Sequence, residues 1–131
     1  MKLIRSVFIL VLSGLMLATC SRMSGLPNGT WELVSLNGEP VVEGTTISLE
    51  IKEGQAGGSS GCNSYGSEVE IDGEKITFGD INMTLMACTD AGVMEQEGTY
   101  LGALGAVESF KVDAEQLVLS GPEVELVFEK K

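Results

Sequence analysis

The sequence predicts a mainly β domain carrying a single α-helix. Three observations carry this: short runs in which apolar and polar residues alternate, an Asp-Gly pair set between two such runs, and one segment, residues 89–107, whose apolar residues follow helical spacing instead. With 131 residues, the chain has room for one domain around one hydrophobic core.

The first run is TWELVSL, residues 30–36, with Trp31, Leu33 and Ser35 on one face and Glu32, Val34 and Leu36 on the other. Asn37-Gly38-Glu39 supplies a turn. TTISLEIK, residues 45–52, sets Ile47, Leu49 and Ile51 against Ser48, Glu50 and Lys52. In GQAGGSSG, residues 54–61, the glycines point to a bulged or tightly turning strand where side chains would clash. SEVEIDGEKITF, residues 67–78, is a hairpin turning at Asp72-Gly73. SFKVDAEQLVLSGPEVELVFEK, residues 109–130, is a three-strand meander with turns at Asp113–Glu115 and Gly121-Pro122. Leu117 and Leu119 face in, Val118 and Ser120 out. About eight strands result, about five before the helix and three after.

The helix is assigned to residues 91–106, with Met94, Leu101 and Leu104 at helical spacing. Thr89 or Asp90 caps its start, and Glu95 and Glu97 lie in the early turns, where the helix dipole favours acid. Gly98, Gly102 and Gly105 each cost up to about 1 kcal/mol relative to alanine. Packing or close backbone approach is therefore expected to hold this helix.

MKLIRSVFILVLSGLMLATC opens the chain. Lys2 and Arg5 precede an apolar stretch from Val7 to Leu17 and small residues at Ala18 and Thr19, the layout of an export signal and too short for an ordinary membrane span. An uncleaved anchor is the alternative. Leu17-Ala18-Thr19-Cys20 resembles the bacterial lipobox, which implies removal of residues 1–19 and lipidation of Cys20; Thr19 departs from the usual Gly, Ala or Ser. Ser21 is not the aspartate that retains lipoproteins in the inner membrane of enteric bacteria. The resemblance thus implies an outer-membrane lipoprotein of the cell envelope, facing the periplasm. Residues 20–27 form the lipidated cysteine and a polar tether, and residues 28–131 the folded domain.

The net charge is −11. Loss of residues 1–19 takes Lys2 and Arg5 with it and leaves −13. Such a surface repels phosphate backbones, so no nucleic-acid partner is expected, and it disfavours docking on anionic lipid. Attachment to the membrane then falls to acyl chains, at about 0.8 kcal/mol per buried methylene. Three cysteines leave one over in an exported protein. With Cys20 lipidated, Cys62 and Cys88 remain as a pair in an oxidising compartment, where a bridge adds about 3–4 kcal/mol by the chain-entropy argument. Two buried free thiols are the alternative.

The chain contains no histidine. Gly57–Gly61, GGSSG, fits the G-x-S-x-G pattern, but a nucleophile elbow needs a strand-turn-helix context and a histidine base. Cys62 has no histidine or nearby lysine to ionise it, and Glu68 and Glu70 act the other way. Zinc and iron sites lose their usual ligand, and no Asp-rich loop has calcium spacing, so neither metal nor cofactor is expected. Of the i, i+2 carboxylate pairs, Glu95/Glu97 diverge on a helix and Glu68/Glu70 share a solvated strand face. Asn63 and Tyr65 either recognise a ligand, or bond backbone in a turn and pack on the barrel edge respectively. INMTLMAC, residues 81–88, reads as core beside the helix, with a methionine surface open to varied partners as the alternative.

Taken in order, Trp31-x-Leu33, SGCNSYG (60–66), ITFGDINMTLMAC (76–88), MEQEGTYLGAL (94–104), LVLSG and LVF resemble the META/HslJ-type domain family of bacterial envelope lipoproteins and related proteins. The resemblance covers residues 28–129. It implies a small antiparallel β-barrel-like fold, lipocalin-like in outline, with one helix across an end. It supplies no catalytic residue. The matching positions Trp31, Gly61, Cys62, Asn63, Tyr65, Thr84, Met86, Cys88, Met94 and Glu97 form a signature that is scaffold, surface lining or both. Associations of the family with heat response, novobiocin tolerance and, in parasite relatives, virulence and secretion name no reaction.

The expected function is therefore non-enzymatic. A monomeric, membrane-anchored domain binds an envelope protein or a small ligand and supports envelope integrity under heat or antibiotic stress. A pilot or assembly factor for a secretion system differs only in its partner. An envelope enzyme working through Glu95 or Glu97 is the contrasting class.

Overall fold

The computed structural model describes residues 26–131. In chain order the elements are β1 (Gly29–Leu36), β2 (Glu39–Pro40), β3 (Ser48–Lys52), β4 (Gln55–Ser59), β5 (Ser64–Asp72), β6 (Lys75–Phe78), β7 (Asn82–Met83), α1 (Val93–Gly105), β8 (Ser109–Val112), β9 (Gln116–Ser120) and β10 (Glu125–Lys130). Eight of the strands close an antiparallel barrel in the order β1-β3-β4-β5-β6-β8-β9-β10. Closure comes from β10 pairing back on β1, with Trp31 opposite Lys130 and Leu36 opposite Leu126. The two-residue strands β2 and β7 are additions to β1 and β5. Among the described residues the fold is thus mainly β, a closed small barrel with one helix.

Period-two alternation sets the barrel interior. Trp31, Leu33, Ile47, Leu49, Ile51, Leu117 and Leu119 are all buried in one core with Phe110, Leu126 and Phe128. Leu36 departs from the simple pattern. The register against β10 slips between Leu33 and Ser35, a bulge that carries Leu36 inward and leaves Val34 exposed. The turn after β1 is Asn37-Gly38 with φ of 52° and 85°, the left-handed pair that joins short hairpins. The β5–β6 turn is Gly73-Glu74, one residue beyond the Asp-Gly pair, because Asp72 itself pairs with Lys75.

The glycine run is a strand at a crowded place. Gly57 faces Gly66 across the β4–β5 ladder, and a Cβ on Gly57 would sit 3.0 Å from the Tyr65 carbonyl oxygen. A Cβ on Gly58 would run into the Ser48 carbonyl group. Main chain approaches main chain here too closely for any side chain.

The helix differs from its sequence reading in face, cap and glycines. Its buried residues are Val93, Gln96, Glu97, Tyr100, Ala103 and Leu104, while Met94 is 41 % exposed and Leu101 only partly covered. Leu104 is buried as expected, but Gln96 and Glu97 share the core face and Met94 does not, so the apolar pattern caught only part of the buried stripe. Neither Thr89 nor Asp90 caps it by side chain. The N-cap is Gly92, left-handed at φ 81°, and Asp90 contributes only its carbonyl to the Val93 N–H. A Cβ on Gly98, Gly102 or Gly105 would meet nothing within 4 Å, so no close approach explains those glycines.

Strand registers give the barrel two distinct poles. The chain enters at one, where Gly29 faces Ile51 and the Trp31 indole N–H donates to the Pro27 carbonyl at 2.9 Å. The C terminus ends there too, with Lys131 N–H bonded to Thr30 O and the Lys130 ammonium 4.4 Å above the Trp31 ring. The other pole carries the Ser60–Asn63 turn, the 41–46 loop and α1, joined by side-chain bonds.

Candidate functional site

The turn from Ser60 to Asn63 is closed by its own backbone, Ser60 N–H donating to Asn63 O at 2.8 Å. Gly61 inside it has φ 110°, a conformation that L side chains rarely adopt. This turn aims three donors at one point, and α1 places Glu97 there. Glu97 Oε2 accepts from Asn63 N–H at 2.7 Å and Cys62 N–H at 3.2 Å, and lies 2.7 Å from Ser60 Oγ. Oε1 accepts from Asn63 Nδ2 at 2.7 Å. Glu97 is only 2 % exposed and is the one buried carboxylate among the described residues. Burial raises its pKa, but the bonds from Asn63, Ser60 and Cys62 outweigh burial and hold it below the ordinary glutamate value.

Asn63 passes the connection outward. Its Oδ1 accepts from Met86 N–H at 2.6 Å and Thr84 Oγ1 at 2.9 Å, and its Nδ2 also donates to Met86 O at 3.1 Å. Cys62 and Cys88 are disulfide-bonded, with Cα atoms 6.0 Å apart. The Met94 sulfur accepts from the Cys88 N–H at 3.5 Å. Three stretches of chain, residues 60–63, residues 84–88 and the start of α1, are thereby fastened through one carboxylate, one amide and one disulfide.

Beneath this latch a second buried pair reaches into the barrel. Tyr65 Oη donates to Ser48 O at 2.9 Å and lies 2.6 Å from Tyr100 Oη. A hydroxyl has one proton, so Tyr100 is the donor to Tyr65. Burial pushes both phenols above the ordinary tyrosine value. The rings meet edge to face at 5.6 Å, and Tyr100 continues the contact to Phe128 at 6.5 Å. Tyr65 is therefore inside the barrel, not on its edge.

Of the signature residues, Gly61, Cys62, Asn63, Tyr65, Thr84, Met86, Cys88, Met94 and Glu97 gather at the helical pole. Trp31 stands apart at the opposite one, and Cys20 lies outside the described residues. Glu95 is exposed on the helix and takes no part. INMTLMAC is not core: Met83, Leu85 and Met86 are exposed, and only Ile81 packs on the core. Ser60, Gln96 and Tyr100 went unrecognised in the sequence. Gln96 Oε1 accepts from Val42 N–H at 2.6 Å and its Nε2 donates to Thr45 Oγ1 at 3.0 Å, tying α1 to the 41–46 loop. The helical spacing of Gln96 and Tyr100 with Val93 and Leu104 was the available signal for those two.

Chemically, the Glu97 carboxylate is surrounded by four donors and is a weaker base than usual, which suits fastening better than proton transfer. Among the described residues no group of three His, Cys, Asp or Glu is placed to hold a metal ion, and no helix is long and apolar enough to cross a membrane. A surface groove of about 330 Å³ runs between β2 and α1, lined by Leu36, Pro40, Val42, Gly92 and Gln96 among others.

The META domain family model matches residues 24–131. No curated protein matches the chain. Solved structures similar to it include an NMR structure of a protein from Burkholderia xenovorans, 27 % identical, with TM-score 0.68 over 79 % of this chain and 82 % of that one. A second NMR structure is 24 % identical, with TM-score 0.65 over 79 % and 90 %. A crystal structure of a DUF4847-family protein from Bacteroides vulgatus is 18 % identical, with TM-score 0.57 over 79 % and 93 %. The last two show likeness of fold alone.

Proposed function

Since this chain belongs to the META domain family, we propose that it is a non-enzymatic lipoprotein of the cell envelope. It is anchored through Cys20, and its barrel binds a partner that supports envelope integrity under heat or antibiotic stress. The observation that carries the binding reading is the Glu97 latch: the one buried carboxylate among the described residues is held by four donors and organises surface loops instead of facing a substrate. The export signal and the Cys20 lipobox support the anchoring.

The test uses the full chain and its Cys20→Ser variant in a bacterial host fed labelled fatty acid. The native chain is expected to take up label, to sediment with membranes and to bring an envelope protein with it on purification from detergent. The variant is expected to lose the label and the sedimentation. Equal sedimentation of the variant would refute the anchor. An envelope-substrate hydrolysis that disappears with Glu97→Gln, in protein still folded, would refute the binding reading. The identity of the captured protein separates an integrity role from that of a secretion pilot.

A further inference from the structure

The two-residue strand β7 and the residues that follow it, 84–86, form an edge that no other strand covers among the described residues. β7 pairs with β5 alone, Met83 opposite Tyr65 and Asn82 opposite Gly66. The same spacing continues past it, with Thr84 N–H donating to Ser64 O at 3.0 Å and Met86 N–H to Asn63 Oδ1. Main-chain groups of successive residues in an antiparallel strand point to opposite sides. With Thr84 and Met86 turned toward β5 and Asn63, those of Met83 and Leu85 point away, where no described strand pairs with them.

Exposed edges are ordinarily blunted by lysine, proline or a covering element. This one instead presents Met83, Leu85 and Met86 at 37 %, 91 % and 57 % exposure. It is also held in shape, since Asn63 grips Thr84 and Met86 and the Cys62–Cys88 disulfide fixes its far end. A preformed edge loses little conformational freedom on binding. Flexible methionine side chains accommodate varied apolar neighbours.

Charge selects the occupant. The basic side chains of the described residues are Lys52, Lys75, Lys111, Lys130 and Lys131, so none occurs between Lys75 and Lys111. Asp80 precedes the edge, Asp90 and Glu95 follow it, and Glu68 shares with Asp80 and Asn82 the surface groove beside it. A second copy of so acidic a chain is repelled, whereas a lysine- or arginine-bearing strand is attracted. The geometry points to the 82–86 edge as a docking site for an extended, cationic segment of a partner protein. That segment alternates apolar and basic residues and adds to β7 as a further strand. Its main chain pairs with Met83 and Leu85, its apolar side chains cover the Met83 and Leu85 side chains on their shared face, and its cations meet Asp80 and Asp90. This inference rests on the reading of the domain as a binding module and gives that module its contact surface.

The test titrates the full chain in detergent with three peptides: alternating valine and lysine, alternating valine and glutamate, and the lysine peptide with proline replacing each valine. Amide exchange is followed by NMR. The valine-lysine peptide is expected to slow exchange at Met83 and Leu85, and the other two to bind at least about tenfold more weakly. Met83→Ser with Leu85→Ser should weaken the valine-lysine peptide by about tenfold and leave the melting temperature unchanged. Equal binding of the glutamate peptide, or protection confined to other elements, would overturn the site. Concentration-dependent protection of Leu85 without peptide would overturn the occupant in favour of a second copy. Should the chain capture an envelope protein while the lysine peptide leaves Leu85 unprotected, the site fails and the binding reading stands. Should the peptide dock at the edge while no envelope protein is captured, the site stands and that reading fails.

Discussion

A carboxylate as buried as Glu97 must be ringed by donors, and the Ser60–Asn63 turn provides them. Because its pKa lies below the ordinary 4.5 when folded, the stability it contributes is complete above that value and is lost as pH falls through the folded pKa. Glu97→Gln replaces an acceptor with a donor facing donors, and is expected to cost about 3 kcal/mol or more at neutral pH. It should also flatten the acid limb, so that urea unfolding followed from neutral pH down to about pH 3 shows a smaller loss than in the native chain. The tyrosine pair makes an asymmetric prediction. Tyr65→Phe strands the buried Tyr100 hydroxyl and releases Ser48 O, at about 2–3 kcal/mol, whereas Tyr100→Phe leaves Tyr65 its bond to Ser48 and costs about 1 kcal/mol. Denaturation midpoints of the two variants check the order.

Among the elements, α1 is held by what it touches and weakened by what it is made of. Gly98 and Gly102 face open space, so Gly98→Ala and Gly102→Ala are each expected to stabilise the chain by about 0.5–1 kcal/mol, read as higher urea midpoints. The Cys62–Cys88 disulfide joins the two loops beside the helix start. Its replacement by paired serines should cost about 3–4 kcal/mol and speed amide exchange through residues 84–90 ahead of the barrel strands. The barrel strands were legible because each buries one face, and alternation such as Ile47-Leu49-Ile51 reports that directly. The helix face was legible only in part, at Leu104 and Leu101, because Gln96 and Glu97 look like surface residues until the loops they bind are in place. Leu36 was hidden by a bulge that leaves no mark in a period-two pattern, and INMTLMAC by an apolar composition that suggests burial. The candidate site was legible as a set of residues, but not as the single carboxylate that joins them.

Across the whole molecule, the two poles divide the work. Lys130 and Lys131 close the pole where the chain enters, against Trp31 and Glu32, while the helical pole bears the disulfide, the acidic helix and the open edge. Anchoring proposed at Cys20 would thus hold the domain from one pole and present the β7 edge at the other. What keeps that edge in place is one coupled unit in which Glu97 and Asn63 bind each other and their neighbours jointly. A double-mutant cycle of Glu97→Ala and Asn63→Ala, measured by urea denaturation, tests this most directly. The coupled latch predicts that the two losses fall short of additive by about 1–3 kcal/mol. Additivity within about 0.3–0.5 kcal/mol would contradict it.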